Sequence, residues 1–197
     1  SAMEDMRVAF GKNMLKGELA NDKFNIKEAL KWWDSGMDKI YRNVEKEMAI
    51  DFKENPQYKD MFNLLLGILS QGQQLEPNYK QAMYVFRHFL NTGKMEVKKP
   101  SGTSVDRFNI FKKQIDKVPP LIKHFGPWEA FSAFLHNKTT VRELKILHKE
   151  IFGEPWNTKM LTDDPAFGMH LFGPKIGAMY GSLSGKSELF PIDIHMM

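Results

Sequence analysis

Leu171-Phe172-Gly173-Pro174-Lys175-Ile176-Gly177-Ala178-Met179-Tyr180 is the stretch on which the reading of this chain turns. Gly173-Pro174 reads as a turn followed by a helix start, because proline suits the first helical position, where its missing N–H costs nothing. Lys175 then sits in the first turn of a short helix of small residues. A lysine is unfavourable at that positive helix end, which signals that something other than stability selected it. The backbone N–H groups around Gly173 to Ile176 point out of the helix start and make a phosphate seat. A Ser/Gly turn, Ser184-Gly185-Lys186-Ser187, follows, and then Phe190-Pro191-Ile192-Asp193-Ile194-His195. Asp193 can return towards the lysine. An amine and a carboxylate on neighbouring elements beside a phosphate seat suggest chemistry on a nucleic-acid sugar.

Working outward, the chain reads as helices separated by proline and glycine. Met3 to Leu19 is weakly amphipathic and broken by Gly11 and Gly17. Asn25 can cap a stronger helix, whose stripe runs from Ile26 through Trp33, Met37, Ile40, Tyr41, Val44 and Met48 to Phe52 at three- and four-residue steps. Trp32 and Trp33 are adjacent, so at most one is central to that stripe, and core or interface packing is the plainer role for both. Asn55-Pro56 ends the helix. The next, about Gln57 to Ser70, is apolar nearly all round and is expected to be the buried central helix. It ends in the polar cluster Ser70-Gln71-Gly72-Gln73-Gln74.

Pro77 starts a helix to about Leu90, and residues 91–102 form a link whose Lys94, Lys98 and Lys99 are expected to be solvated. Thr103 or Ser104 can cap a helix carrying Val105, Phe108, Phe111 and Ile115. Pro119-Pro120 opens a short helix closed by Gly126, and Pro127 opens another with Trp128, Phe131, Phe134 and Leu135. Thr140-Val141-Arg142-Glu143 is a capping box for a helix to about Phe152. Asp163-Asp164-Pro165 is expected to start the short helix that leads into the Gly173 turn. No strand-like alternation and no fixed repeat is visible. The fold class is therefore all-α.

With 197 residues, 42% hydrophobic and 26% charged, the chain has the size and balance of one globular domain with a real core. A net charge of +4 is mildly basic and permits nucleic-acid binding without requiring it. There is no cysteine, which excludes disulfides, a cysteine nucleophile, zinc–thiolate sites and an iron–sulfur cluster ligated by cysteine. No apolar run approaches the roughly 20 residues of a membrane span, so an intracellular protein is expected.

Gly173-Pro174-Lys175-Ile176-Gly177-Ala178 resembles the second half of the helix-hairpin-helix of the endonuclease III superfamily of base-excision DNA glycosylases. Ile192-Asp193-Ile194-His195 resembles the Val-Asp-Thr-His segment that carries their catalytic aspartate. Lys175 and Asp193 are 18 residues apart, the separation found in the lysine-bearing members. The buried Leu-rich helix ending in Leu-Ser, with a glutamine after it, resembles the family's opening. There a loop glutamine fills the gap left by an extruded base; Gln71 and Gln73 both stand in range, and the spacing does not choose between them.

The resemblance covers about Phe62 to His195. It implies a single domain, 1–197, with an N-terminal helical extension over about 1–55 and a two-lobed glycosylase-like core over about 56–197, the hairpin lying at the mouth of the cleft. It implies a monomer acting on double-stranded DNA that carries a damaged, abasic or modified nucleotide. It implies DNA contacts from Gln71, Gln73, Gly173, Pro174, Ile176 and Gly177, and catalysis by Lys175 and Asp193. A lysine here is the family's mark of combined glycosylase and abasic-site lyase action. No cofactor is required beyond a monovalent cation that the hairpin can hold.

Three features depart from the family. The usual Leu-Pro-Gly-Val-Gly hairpin is replaced by Met169-His170-Leu171-Phe172-Gly173, without the first glycine. Pro174 removes one N–H donor from the anchor. Relatives continue into more helix beyond the aspartate, so either the native chain runs past Met197 or the lobe is completed differently. His195 is most simply structural, and the plain reading of Lys175 and Asp193 is a surface salt bridge. The alternative to an enzyme is a non-catalytic DNA-binding module that keeps the hairpin, and a weaker one is an all-α interaction protein with a fortuitous motif.

Overall fold

A computed structural model describes residues 26–69, 75–99 and 104–185, with side chains of the first helix described from Gly36 onward. The expected helix over Met3 to Leu19, the Asn25 cap and the side chains of Trp32 and Trp33 lie outside the described residues. What is described is mostly helical. None of its helices is long and apolar enough to cross a membrane.

Helix α1 (Ile26–Met48) turns Met37, Ile40 and Val44 into the core. It ends earlier than the apolar stripe suggests. Ala49 takes a positive φ of 53°, breaking the helix, and the Glu45 carboxylate then accepts the N–H of Phe52 at 3.0 Å. Phe52 is still buried, but from a loop that folds back rather than from the helix.

Helix α2 (Pro56–Leu69) is the centre of the molecule, with every residue from Met61 to Leu69 buried. Its apolar circumference leaves no solvent face, so neighbours must cover it on all sides. Tyr41, Phe62, Phe86 and Tyr58 meet there edge to face. Burying one such phenylalanine contributes about 1.5–3 kcal/mol. Asn63 is tolerated in this interior because its side-chain oxygen accepts the Tyr41 hydroxyl at 2.6 Å.

Helix α3 (Leu75–Thr92) includes Pro77 in its first turn, where a missing N–H breaks no helical bond. The link after it is fastened back, since Gln81 donates to the Lys98 carbonyl at 2.9 Å and the Lys98 ammonium stands 4.6 Å over the Tyr84 ring. Lys94, Lys98 and Lys99 are exposed, as a solvated link requires. Helix α4 (Val105–Ile115) is capped by Ser104, whose hydroxyl accepts from Arg107 N–H; Thr103 lies outside the described residues. Helices α5 (Val118–Phe125) and α6 (Trp128–His136) meet at Gly126, whose φ of 86° suits only glycine, and Pro127. Helix α7 (Val141–Phe152) has the capping box of Thr140 and Glu143 and stops at the left-handed Gly153.

Two expectations are corrected in the next stretch. Pro165 does not start a helix. Pro165–Phe167 forms strand β2, antiparallel to β1 (Lys138–Thr140), with Thr139 opposite Ala166. Helix begins only at Gly168, and as a 3-10 turn through Phe172. Pairing with β1 holds the chain extended up to Phe167. At Gly168 it passes so close to α6 that a Cβ would lie 2.1 Å from the Phe134 carbonyl oxygen. Strands of three residues are also too short to register as alternation. Helix α8 (Pro174–Leu183) then packs along α2 and the 3-10 helix, buried from Ile176 to Leu183.

Candidate functional site

The 3-10 helix and α8 are joined by one residue, Gly173, with φ 106° and ψ 157°. That conformation belongs almost solely to glycine. No neighbouring atom lies within 4 Å of the place a Cβ would take, so the requirement is set by the backbone alone. The two helices approach closely at Gly177, where a Cβ would stand 3.0 Å from the His170 ring and 3.2 Å from the Met169 carbonyl oxygen. The turn is held from behind by His170, whose Nδ1 accepts the Phe167 N–H at 2.8 Å. Burial lowers the His170 pKa to about 4, so the ring is neutral at pH 7.

The helix start carries fewer donors than the sequence suggests. The Gly173 N–H donates to the His170 carbonyl at 2.8 Å, and Gly177 N–H returns to the Gly173 carbonyl at 2.9 Å. Pro174 has no N–H. That leaves Lys175 and Ile176, whose N–H groups have no side-chain cap and no loop carbonyl among the described residues. Two adjacent amides at a helix N-terminus are the minimum of an anion seat. Ile176 and Gly177 are buried, so the Ile176 side chain faces the core and only its N–H is on offer. Gly173 and Pro174 are half-buried, and the Lys175 side chain is exposed. Among the described residues Lys175 has no hydrogen bond or salt bridge.

Asp193, His195, Gln71 and Gln73 lie outside the described residues. The amine half of the expected pair is therefore described and the carboxylate half is not. The described residues hold no cluster of three or more His, Asp or Glu that could bind a metal ion. As for the monovalent cation expected at the hairpin, one carbonyl there, Leu171, already accepts an ammonium of the chain itself. Lys117 Nζ donates to it at 3.1 Å.

Sequence reading missed this lysine. Lys117 closes the link between α4 and α5 and is only 9% exposed. Burial, and then the neighbouring Lys113 charge, lower its pKa to about 8, with Glu154 acting in the opposite sense. The only hint in the sequence is its position between Ile115 and Val118, both core residues.

A second polar group escaped as well. At the other end of α8 the buried Tyr180 hydroxyl donates to Asp60 Oδ1, Ser132 donates to Asp60 Oδ2, and His136 Nε2 lies 2.9 Å from the Tyr180 oxygen. Because the tyrosine proton is committed to Asp60, the imidazole Nε2–H donates to the tyrosine. Burial alone would raise the Asp60 pKa, but the nearby His136 and the hydrogen bonds from Ser132 and Tyr180 outweigh it and hold the carboxyl below its ordinary value. The Tyr180 hydroxyl is pushed well above its ordinary range by burial and by the Asp60 charge. The signal available was a lone acid, Asp60, immediately before the all-buried run of α2.

Compared with known proteins, the chain matches no protein-family model, no curated protein and no solved structure.

Proposed function

We propose that this chain is a DNA glycosylase with abasic-site lyase activity, removing a damaged or modified base from duplex DNA through a Schiff base at Lys175. The observation that carries the reading is an exposed Lys175 amine, without a partner among the described residues, beside two backbone N–H groups that no described residue caps at one helix start. The chain's net charge of +4 is compatible with a polyanionic partner.

A phosphate seated on the Lys175 and Ile176 N–H groups would fix the strand. The target nucleotide must leave the base stack before its sugar can be reached. Neutral Lys175 then attacks the anomeric carbon. A C–N bond forms, the bond to the base breaks, and the base departs with the electron pair and takes up a proton. Loss of a proton and ring opening give the imine, from which strand scission follows by elimination. Asp193 would stabilise the positive charge that builds on the sugar and accept the proton that the lysine must lose. The reading extends to the two-lobed core, to Gln71 or Gln73 as the wedge, and to a monomer bound to one lesion.

The test is borohydride trapping on duplexes containing single modified bases or an abasic site. Wild type is expected to give a covalent protein–DNA adduct, and Lys175→Ala to give at least about 100-fold less. An adduct of undiminished yield in Lys175→Ala would remove that residue from its role. Duplex binding that survives both Lys175→Ala and Asp193→Asn, with no adduct from any protein, would establish the non-catalytic binding module instead.

A further inference from the structure

A cavity of about 800 Å³ lies between the C-terminal part of α4, α7 and the loop after it, and the Gly173-Pro174 turn. Three ammonium groups line it, Lys113, Lys117 and Lys159, against the carboxylates of Glu154 and Asp164. None of the three lysines is in a salt bridge among the described residues. The Asp164 carboxylate is turned into its own loop, accepting the Leu161 N–H at 3.2 Å. Lys117 is the unusual member. It is nine-tenths buried, and its one described partner is a neutral carbonyl. A buried ammonium normally finds an anion, because desolvation without one is costly.

Beside the donors of Asn157 and Thr158, the cavity wall carries two neutral acceptors. His148, 3% exposed, donates from Nδ1 to the Glu154 carbonyl at 2.9 Å, which leaves Nε2 with its lone pair. The side-chain oxygen of Gln114 is buried with no hydrogen-bond partner. Cationic donors and neutral acceptors in one cavity are complementary to an oxyanion that itself carries hydroxyl donors.

We infer that this cavity binds a sugar phosphate of the nucleotide type, its phosphate held by Lys113, Lys117 and Lys159 and its hydroxyls facing Gln114 and His148. The same chemistry can come from a free nucleotide or from a ribonucleotide unit of a strand, whose 2′-hydroxyl stays free. The site is separate from the Lys175 amine, and an unmodified sugar phosphate has no base to lose, so its binding stands or falls independently of base excision.

The experiment is titration calorimetry on the full chain with ribose 5-phosphate, inorganic phosphate and ribose as probes. Ribose 5-phosphate is expected to bind more tightly than inorganic phosphate, and ribose not at all. The double variant Lys113→Ala/Lys159→Ala, altered only at exposed positions, is expected to weaken ribose 5-phosphate about tenfold or more. Lys117→Met is expected to abolish it; should that protein fail to fold by circular dichroism, the double variant decides. Competition by a single-stranded 12-nucleotide RNA would identify a strand as the source, and persistence of binding beside it a free nucleotide. No heat with ribose 5-phosphate at millimolar concentration, or an affinity unchanged in the double variant, overturns the assignment.

Discussion

The two ends of α8 treat their polar groups in opposite ways. Towards the C-terminal end, Tyr180, His136, Ser132 and Asp60 close a network in which the carboxylate accepts from both sides. At the N-terminal end, the Lys175 and Ile176 N–H groups carry no cap, Lys175 has no described partner, and Lys117 has only a carbonyl. The same helix, packed on the same central α2, is matched at one end, where His136 Nδ1 alone of that network lacks a partner among the described residues, and unmatched at the other. Matched buried polar groups stabilise and fix the packing. Unmatched ones cost stability, and they persist where a ligand supplies what the chain withholds. The difference separates the part of the helix that holds the fold from the part that can act.

The largest expected effect breaks the matched end. Asp60→Ala removes the shared acceptor and leaves the buried Tyr180 hydroxyl and the Ser132 hydroxyl without it, at a cost of about 3–5 kcal/mol for two hydrogen bonds to a charged group. Urea denaturation with an unchanged m-value checks this. A loss below about 1 kcal/mol would mean that the network is not the anchor claimed for it.

Next comes acid. The folded pKa of His170, about 4, lies below the 6.5 of the unfolded chain. Between those values the unfolded state binds the proton and the folded state does not. The stabilisation is full above pH 6.5 and is lost as pH falls towards 4, by about 3 kcal/mol. His148, also depressed by burial, acts in the same direction. The measurement is therefore the difference between wild type and His170→Gln, in which the slope of stability between pH 6.5 and 4 should be markedly flatter. Asp60, whose pKa is lowered, keeps its stabilisation through that window and loses it only below the ordinary carboxylate range, so the two ends of the helix separate on the pH axis. Identical slopes in the two proteins would rule out His170 as the acid-sensitive prop of the turn.

How much of this was legible in the sequence follows the range of the interactions. The proline and glycine boundaries at Pro56, Gly126, Pro127 and Gly153, and the capping box at Thr140, act over a few residues and were readable. The leucine run of α2 announced its burial because no face of it was polar. Strand β2 was not readable, since it exists through pairing with residues some 27 positions earlier. The early end of α1 was hidden too, because Phe52 keeps the helical stripe while leaving the helix. At the site, the glycine turn and the helix start after it could be foreseen from Gly173-Pro174, whereas the exposure of Lys175 could not. The Asp60–Tyr180 bond spans 120 residues and the Lys117–Leu171 bond spans 54, and no local pattern marks either.

The smallest effect sharpens the comparison most. Lys175 places a positive charge in the first turn of α8, at the positive end of the helix dipole, with no described partner to offset it. Lysine is also a slightly weaker helix former than alanine. Lys175→Ala should therefore raise stability, by about 0.3–1 kcal/mol, in the same protein that loses the trapped adduct. Urea midpoints at low and at about 0.5 M salt test it, because a charge–dipole gain shrinks as ions screen it. A residue kept for packing would show the reverse, a loss of stability that salt leaves alone. The sign of so small a number decides whether the unmatched end of α8 is maintained against the fold's own preference.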